Sequence, residues 1–201
     1  MASDTSNLKR QNIIEGATML FLKHGFQTVS MDKVAQAAPV SKATLYRYFS
    51  SKDMLLAAVI DELCADLWQT MDEVSMDLSS IENNLKKIAT AFVDFIFSEQ
   101  GLAIYRLVVA ECTDFPELGE LVYKTGPKTA LSQLEHYLAE INQQDNINIP
   151  DITFAADSFF SLLKGELHFQ CLLGIKPLPT VIEKEQHINQ IVTFFIQGWL
   201  K

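Results

Sequence analysis

The sequence predicts an all-α protein, and three observations support this prediction. Apolar residues recur at the 3.6-residue period of an amphipathic helix along most of the chain, as at Leu56, Val59 and Leu63. No segment of any length alternates apolar and polar residues in the manner of a half-buried strand. The chain also has no internal repeat and no low-complexity linker, so its 201 residues suffice for a small helical domain joined to a larger one.

Three short helices and one long helix are predicted in the first part of the chain. A polar tail precedes the first helix, over residues 8–24, which Gly25 ends as a C-cap. Ser30 and Ser41 each stand where an N-cap residue belongs, so a second helix begins after Ser30 and a third after Ser41. A single long helix is then expected over residues 52–75, as the connection to the remainder of the chain.

Six further helices are predicted over the rest of the chain, and glycine or proline marks most of their boundaries. Gly101 is expected to interrupt the chain between two of these helices, and Thr180 is expected to cap the last. The predicted helices cover residues 85–99, 102–112, 116–123, 128–142, 151–173 and 180–199.

Charge is distributed unevenly along the chain. Residues 1–52 contain seven Lys and Arg against three Asp and Glu, a net charge of +4, whereas residues 53–201 carry −13. A basic segment attracts phosphate, and an acidic remainder discourages nucleic acid from binding elsewhere on the protein. The distribution therefore favours nucleic-acid binding at the N-terminal end over an ordinary fluctuation of charge.

Several features indicate a cytoplasmic protein with no membrane partner. No uncharged apolar run approaches the roughly 18–20 residues that span a bilayer, and the N-terminus lacks the apolar core of a signal peptide. The three cysteines, Cys64, Cys112 and Cys171, are widely spaced in apolar helical segments. Such cysteines are typical of reduced core residues in the cytoplasm.

The sequence contains no recognisable catalytic, metal or cofactor site. His168 and Cys171 are the closest pair of potential metal ligands, and packing explains one such pair better than metal binding does. Glycine-rich phosphate-binding motifs, a nucleophile–base pair and paired carboxylates in a recognisable setting are all missing from the sequence. We therefore expect no metal, no cofactor and no enzymatic activity.

The helix that begins after Ser41 has two distinct faces. Leu45 and Phe49 are four residues apart, so they share one face and can anchor the helix to a core. Lys42 and Tyr46 are also four apart and lie on a different face, with small and basic neighbours. That face suits a helix entering the major groove of DNA.

The residue types on this face match the chemistry of DNA contacts. Lys42 can reach guanine edges or phosphate, Ala43 allows close approach and contact with a thymine methyl, and the Tyr46 hydroxyl can reach phosphate oxygens. Lys52, at the start of the next helix, is expected to bind another phosphate together with the helix N-terminus. The predicted DNA-binding residues are Ser30, Lys33, Ser41, Lys42, Ala43, Thr44, Tyr46, Arg47, Tyr48 and Lys52.

Several short motifs occur in order between residues 12 and 59: Ile14-x-x-Ala17, Leu20-Phe21, Gly25-Phe26, Ser30-Met31-x-x-Val34-Ala35, Val40-Ser41-Lys42-x-Thr44-Leu45-Tyr46-x-Tyr48-Phe49 and Ser51-Lys52. This segment resembles the helix-turn-helix domain of the TetR family of bacterial transcriptional regulators. One residue departs from the family pattern, because Pro39 stands where the family usually has Gly. Gly permits a positive φ whereas Pro is fixed near −65°, so we expect the turn to close with a different local geometry.

The remainder of the chain is similar to the AefR-like C-terminal domain found in part of this family. The similarity rests on Arg106 to Glu111, Phe115 to Leu118, Gly126-Pro127 and Leu172 to Gly174. It implies a domain that dimerises and regulates. The predicted division is therefore a helix-turn-helix domain over residues 8–52 and a helical effector-binding and dimerisation domain over residues 53–201.

The last two predicted helices are apolar on several sides, so they must be buried on several sides. We expect an isologous dimer in which these helices pair with their copies as a four-helix bundle. The alternative is that they form the centre of the monomer. The predicted interface residues are Phe159, Leu162, Leu163, Ile188, Ile191, Val192, Phe195 and Trp199.

The family resemblance also implies a pocket for a small effector, which we expect to be apolar or amphipathic. For each candidate lining residue, ordinary core packing is the alternative. Glu111, Glu166 and His168 could supply polar contacts or lie at a solvated rim. The candidate lining residues are Trp68, Phe92, Phe95, Ile96, Tyr105, Val108, Phe160 and His168.

Together these observations predict a sequence-specific DNA-binding regulator. The leading hypothesis is a repressor that binds a pseudo-palindromic operator as a dimer and is released by the effector. The alternative is a DNA-binding activator or an architectural protein without effector control.

Overall fold

The computed structural model describes residues 2–75, 80–144 and 147–200, with side chains from residue 7 onward except at residue 75. In these ranges the regular secondary structure is entirely α-helical, as the sequence predicts. The helices are α1 (Ala2–His24), α2 (Met31–Ala37), α3 (Lys42–Tyr48), α4 (Lys52–Leu63), α5 (Ala65–Ser75), α6 (Ile81–Ile96), α7 (Glu99–Glu111), α8 (Pro116–Thr125), α9 (Pro127–Ile141), α10 (Ile152–Leu172) and α11 (Val181–Trp199).

The predicted helix caps are confirmed. The Ser30 side chain accepts the Lys33 N–H at the start of α2, and the Thr180 side chain accepts the Glu183 N–H at the start of α11. Gly25 has the positive φ, 83°, of a left-handed C-cap residue. The first helix, however, begins at Ala2 and so includes most of the segment predicted to be a tail.

Two predicted helix boundaries are wrong, and one predicted helix has a kink inside it. The helix expected over residues 52–75 is two helices, because α4 ends at Leu63 and α5 begins at Ala65, although neither glycine nor proline marks the break. Gly101 does not interrupt the chain but lies in the first turn of α7, where its N–H donates to Ser98 Oγ at 2.8 Å. A Cβ at this position would lie 2.1 Å from the Phe95 carbonyl oxygen, so glycine is required by the close approach of two backbones. The helix predicted over residues 151–173 has an unexpected kink at Gly165.

The chain forms two compact units, and their boundaries differ from a simple division at residue 52. The head unit comprises Met1–Leu63 and Ala103–Gly126, and the body unit comprises Cys64–Leu102 and Pro127–Lys201. The helix α4 and most of the segment containing α7 and α8 therefore belong with the N-terminal helices. In the head unit α1 packs on α2 and α4, α2 packs on α3, and α4 packs on α8.

Apolar side chains from several helices are buried in the head unit. Phe21 and Phe26 meet edge to face, with ring centroids 5.2 Å apart. Each helix of the helix-turn-helix segment contributes at least one fully buried side chain to this group, which fixes the orientation of its opposite face. The buried residues include Ile13, Ile14, Ala17, Phe21, Val34, Leu45, Leu55, Leu56 and Val59.

The body unit is a helical bundle arranged around α6 and α10. The helix α6 packs on α5, α10 and α11, and α9 packs on α5 and α10. Its core includes Leu85, Ile88, Tyr137, Phe159, Leu163, Val192 and Phe195, all of which are fully or almost fully buried. Within the described residues, no helix is both long and apolar enough to span a membrane.

Candidate DNA-binding surface

The helix α3 is held to the head unit by one face, which leaves the opposite face outward. Ser41 caps the helix by accepting the Thr44 N–H at 3.1 Å. Leu45 is completely buried and Phe49, at the C-cap, is 4% exposed, as their spacing predicts. Lys42 and Tyr46 are both exposed, so neither side chain is used for packing.

The remaining predicted residues of α3 divide between exposed and half-buried positions. Ala43 and Arg47 are exposed, and the Arg47 guanidinium lies 5.5 Å from the centroid of the half-buried Tyr48 ring. Thr44 is also half-buried, and its hydroxyl lies within hydrogen-bond distance, 2.9 Å, of Ser41 Oγ. The outward surface of α3 is therefore formed mainly by Lys42, Ala43, Tyr46 and Arg47.

Lys42 forms an ion pair that the sequence analysis missed. Its Nζ lies 2.8 Å and 3.0 Å from the two carboxylate oxygens of Asp32, which belongs to α2. The hydrogen bond to Asp32 and the charge of that carboxylate raise the pKa of Lys42. Both side chains remain more than half exposed, so this pair contributes little to stability. It does, however, place a negative charge on the surface expected to face DNA.

Two backbone hydrogen bonds close the turn between α2 and α3. The Ala38 N–H donates to Val34 O at 2.9 Å and the Val40 N–H donates to Ala35 O at 3.0 Å. Between them Pro39 has a φ of 24°, and it is the only described residue other than glycine with a positive φ. This value lies far from the roughly −65° that the proline ring prefers, so the turn does not close with ordinary proline geometry. The proline ring is strained as a result.

The two predicted residues at the start of α2 are both exposed. The oxygen of Ser30 is used as the cap of α2, and Lys33 reaches back toward the Thr28 carbonyl with its Nζ at 3.4 Å. At that distance the Lys33 contact is weak. Its ammonium group therefore stays accessible to an anion.

The side chain of Lys52 is not exposed in the way that the predicted contact with phosphate requires. It is half-buried, and its Nζ donates to the carbonyl oxygens of Phe26, Gln27 and Val29 at 3.0, 3.3 and 3.2 Å. The Nζ also lies 4.4 Å from the centroid of the Phe26 ring. Burial lowers the pKa of Lys52, while the nearby Asp53 and Glu111 carboxylates act in the opposite direction. The three donors of its ammonium group are thus directed at the protein.

Glu111, which sequence reasoning offered as a polar group for a pocket, belongs to the head unit instead. Its Oε1 accepts the Phe26 N–H at 2.9 Å and its Oε2 accepts the Gln27 N–H at 3.2 Å. Sequence reasoning missed this contact because the partners are about 85 residues apart. Both carboxylate oxygens are therefore already engaged within the head unit.

The candidate effector residues do not lie in one compact unit. Tyr105 and Val108 belong to the head unit, and the other six belong to the body unit. Among the latter, Phe92 and Phe160 pack together in the core with ring centroids 4.5 Å apart, and Ile96 is also buried. His168 is buried against Phe97, with which it makes an edge-to-face contact, and Trp68 and Phe95 are half-buried against the core. These contacts are those expected of ordinary core packing.

A shallow groove of about 280 Å³ lies elsewhere in the body unit, between α6 and α11. Its two lysines are both engaged, Lys86 with Glu82 at 2.7 Å and Lys184 with Asp94 at 2.9 Å. None of the candidate effector residues contributes to this groove. Its lining residues are Lys86, Thr90, Asp94, Val181, Lys184, Glu185, Ile188 and Asn189.

The predicted interface residues are mostly core residues of a single chain. Phe159, Leu163, Val192 and Phe195 are completely buried and Ile188 is 5% exposed, so these five provide almost no surface for a second copy. These five are therefore core residues of the single chain, and their part in a dimer interface stays a prediction. Leu162, Ile191 and Trp199 are half-buried.

Other apolar residues of the same helices are exposed instead. Among the described residues of the body unit, every large apolar side chain that is exposed lies on α10, on α11 or between them. Each of these side chains is more than half exposed, which is unusual for so many large apolar groups in one part of a molecule. They are Phe154, Phe169, Leu173, Ile175, Val181, Ile182 and Phe194, and we refer to them as the α10–α11 apolar surface.

Comparison with known proteins identifies the family. Residues 13–59 match the family described as bacterial regulatory proteins of the tetR family, and residues 83–199 match the C-terminal domain of AefR-like transcriptional repressors. The second match alone covers more than half of the chain. The protein belongs to the TetR family of DNA-binding transcriptional regulators, whose members are not enzymes.

Individual relatives agree with this assignment. The flavonoid-responsive regulator FrrA is 31% identical and has a TM-score of 0.73, with 96% of this chain and 97% of FrrA covered. A TetR-family regulator from Mesorhizobium loti MAFF303099 shares the fold, with a TM-score of 0.79 at 24% identity and 98% of each chain covered. The transcriptional activator FasR of Mycolicibacterium smegmatis is 32% identical over 101 residues, which are 50% of this chain but only 45% of FasR.

Proposed function

We propose that this regulator is a repressor that binds a pseudo-palindromic operator as a dimer and is released by a small effector. The observation that carries the proposal is the outward face of α3, where Lys42, Ala43, Tyr46 and Arg47 are exposed on a helix anchored by the buried Leu45. A short helix fixed from behind, with basic and hydroxyl groups in front, fits the major groove. The excess of basic residues in this part of the chain adds sequence-independent attraction to phosphate.

In the proposed complex, base edges are contacted by Lys42 and Ala43, near the N-terminus of α3. Tyr46 and Arg47 lie within one turn of them and reach the phosphate backbone of the same groove. Ser30 and Lys33, at the start of α2, contact the adjacent backbone. Ser41 and Thr44 are assigned a supporting part, because their hydroxyl groups already serve the helix cap, and Tyr48 supports Arg47 through its ring.

We assign dimerisation to the α10–α11 apolar surface. Burying several aromatic and aliphatic side chains that are now more than half exposed would remove a large apolar area from water. A single head unit offers one short helix to DNA, whereas two copies would read half-sites about 34–36 Å apart in successive major grooves. Dimerisation is also typical of the TetR family.

The effector we propose is small and apolar or amphipathic. The name of FrrA states that it responds to flavonoids, which are aromatic and amphipathic, and FrrA matches nearly all of this chain. The body unit is rich in aromatic side chains that could contact such a ligand after a local rearrangement. FasR is named as an activator, so activation of transcription is the alternative output.

Selection of genomic DNA by the purified protein tests the proposal. Sheared genomic DNA is incubated with the wild-type protein and separately with Tyr46→Ala, and the retained fragments are sequenced. We expect the wild-type protein to enrich a few fragments that share an inverted repeat, and Tyr46→Ala to enrich them much less. Retention of random fragments alone by the wild-type protein would contradict sequence-specific binding.

The effector is tested on the selected fragments. We expect operator binding to be lost when a cell metabolite extract is added. Binding should return after the extract is dialysed away. Operator affinity that no extract changes would favour the alternative of a DNA-binding protein without effector control.

A further inference from the structure

The loop that joins α1 to α2 is held by two side chains of opposite charge. Gly25 ends α1 with a φ of 83°, and the next two N–H groups, of Phe26 and Gln27, point away from the helix as donors without an intrahelical acceptor. The Glu111 carboxylate accepts both, one on each oxygen. Hydrogen bonds to an ionised acceptor are roughly twice as strong as neutral ones, so the carboxylate holds this loop more firmly than a neutral side chain would.

Gly25 is needed for this contact for a second reason. A Cβ on residue 25 would lie 2.6 Å from Glu111 Oε1, which is closer than such atoms ever approach. A side chain there would therefore displace the carboxylate as well as strain the backbone. The glycine that ends α1 thus also creates the space for Glu111.

Lys52 holds the carbonyl groups of the same loop. Its Nζ donates to Phe26 O, Gln27 O and Val29 O, so all three hydrogens of the ammonium group are directed at this short stretch of backbone. Glu111 takes the N–H groups and Lys52 takes the C=O groups. We call these two residues and the loop they hold, residues 25–29, the charged clamp.

The charged clamp acts on the start of α2. Phe26 and Val29 are buried, with 3% and 1% of their surface exposed, and Ser30, the N-cap of α2, follows directly. Because α2 packs on α3, the position of this loop determines where α2 begins and hence where α3 is held. A loop without the clamp would keep its two apolar anchors but lose five polar contacts to its backbone.

We propose that Glu111 and Lys52 are positioning residues for DNA recognition, which hold the loop of residues 25–29 and thereby orient α2 and α3 without touching DNA. The inference rests on the proposed function of α3 and replaces the phosphate contact that the sequence predicts for Lys52. It also gives α7, which ends at Glu111, a direct connection to the helix-turn-helix segment inside the head unit.

The direction in which DNA affinity changes on removal of the Glu111 charge shows whether Glu111 positions the loop or acts only through its electric field. Removing a negative charge from a DNA-binding unit raises its affinity for DNA when the charge acts only through its field. A positioning carboxylate has the opposite effect, because its loss lets the recognition helix move. For Lys52 the salt dependence separates the two cases, since a lysine that binds phosphate contributes about one unit to the slope of log affinity against log salt.

The experiment compares five variants with the wild-type protein on a selected operator at four salt concentrations. Glu111→Gln removes the charge, Glu111→Asp keeps the charge but shortens its reach, and Lys52→Met removes the ammonium group. Asp114→Asn, an exposed acidic residue three positions beyond Glu111, is the matched control for charge. Arg47→Ala is the comparison for an exposed basic side chain assigned to the phosphate backbone. Unfolding midpoints and amide exchange at Phe26 and Gln27 are measured on the same samples.

We expect both Glu111 variants and Lys52→Met to weaken operator binding roughly tenfold with an unchanged salt slope, a size typical of coupling between contacts and a distant site. Amide exchange at Phe26 and Gln27 should accelerate in the Glu111 variants, while Asp114→Asn binds as tightly as the wild-type protein or slightly more tightly. Arg47→Ala should reduce the salt slope by about one unit.

Three results would overturn the clamp. The first is an operator affinity of Glu111→Gln that is unchanged or increased. The second is a salt slope that falls by about one unit in Lys52→Met. The third is faster amide exchange at Phe26 and Gln27 without any loss of operator affinity, which indicates a purely structural contact. If Glu111→Gln does not fold, Glu111→Asp decides the question at constant charge. Failure of the wild-type protein to select any operator would instead contradict the proposed function, and it would not bear on the charged clamp.

Discussion

The strained turn at Pro39 provides a stability prediction whose sign is unusual. Replacing a loop proline by glycine normally destabilises a protein, because glycine gives the unfolded chain more freedom, by about 0.4–1 kcal/mol. Pro39, however, has a φ of 24° where the proline ring prefers about −65°. Pro39→Gly should therefore stabilise the head unit.

The magnitude follows from two opposing terms. A residue held in a sparsely populated backbone region costs about 1–3 kcal/mol, and glycine removes that cost. After subtraction of the entropic term, the free energy of unfolding should rise by about 0–2.6 kcal/mol, with about 1.3 kcal/mol at the middle of the range. For a chain of this size the middle value raises the melting temperature by about 3–5 °C.

The assay must report on the head unit. Both tryptophans, Trp68 and Trp199, belong to the body unit, so tryptophan fluorescence follows that unit and far-ultraviolet circular dichroism follows both. We would measure urea and thermal unfolding by both signals for the wild-type protein, Pro39→Gly and the control Pro150→Gly. Pro150 is an exposed proline in another loop and does not have a positive φ. A loss of stability in Pro39→Gly as large as that in the control would refute the strained turn.

Three further predictions concern charge, titration and assembly. Asp32→Asn should raise affinity for random-sequence DNA several-fold, because it frees Lys42 and removes a negative charge from the recognition surface; unchanged binding in a filter assay would contradict this. Burial, with a smaller effect of the Lys164 charge, lowers the pKa of His168 in the folded chain, so the unfolded chain binds the proton more tightly and unfolding free energy should fall as the pH drops below about 6.5. His168→Gln should flatten that part of the stability profile in urea titrations, and a profile as steep as that of the wild-type protein would contradict the effect of burial. Phe194→Asp should convert a dimer to a 22.6 kDa species in sedimentation, and an unchanged sedimentation coefficient would place the interface elsewhere.

The parts of the structure that the sequence predicted are those set by local rules. A serine or threonine before an apolar periodic run caps a helix through its own backbone, so Ser30, Ser41 and Thr180 could be placed without knowledge of the fold. The spacing of Leu45 and Phe49 likewise predicted which side of α3 is buried, and hence which side is exposed. The outward face of the recognition helix follows from these local features alone.

The parts that the sequence did not predict depend on contacts distant along the chain or on close backbone approach. Glu111 is about 85 positions from the amides it accepts, and no periodicity signals such a partner. Lys52 was assigned to phosphate because its charge stands at a helix N-terminus, where exposed N–H groups also attract anions. Gly101 was predicted to be a helix break, whereas it lies inside α7 with its backbone against the carbonyl group of Phe95, near the end of α6.

The apolar character of α10 and α11 was interpreted too simply. Helices that are apolar on several sides must be buried on several sides, but periodicity does not say which side faces the chain's own core. The strongest stripe, which includes Val192 and Phe195, is the core of one chain. The weaker flanking positions, such as Phe154 and Phe194, are the ones left exposed, and they are the better candidates for an interface.

The central claim, that the outward face of α3 contacts DNA, is tested most directly by the affinity of Lys42→Ala and Tyr46→Ala for the selected operator. Lys128→Ala, which removes an exposed lysine from the body unit, is the matched control. Each variant of α3 should bind about 5- to 150-fold more weakly, as expected for the loss of one contact worth about 1–3 kcal/mol, with an unfolding midpoint like that of the wild-type protein. Wild-type affinity in both α3 variants would contradict the assigned surface.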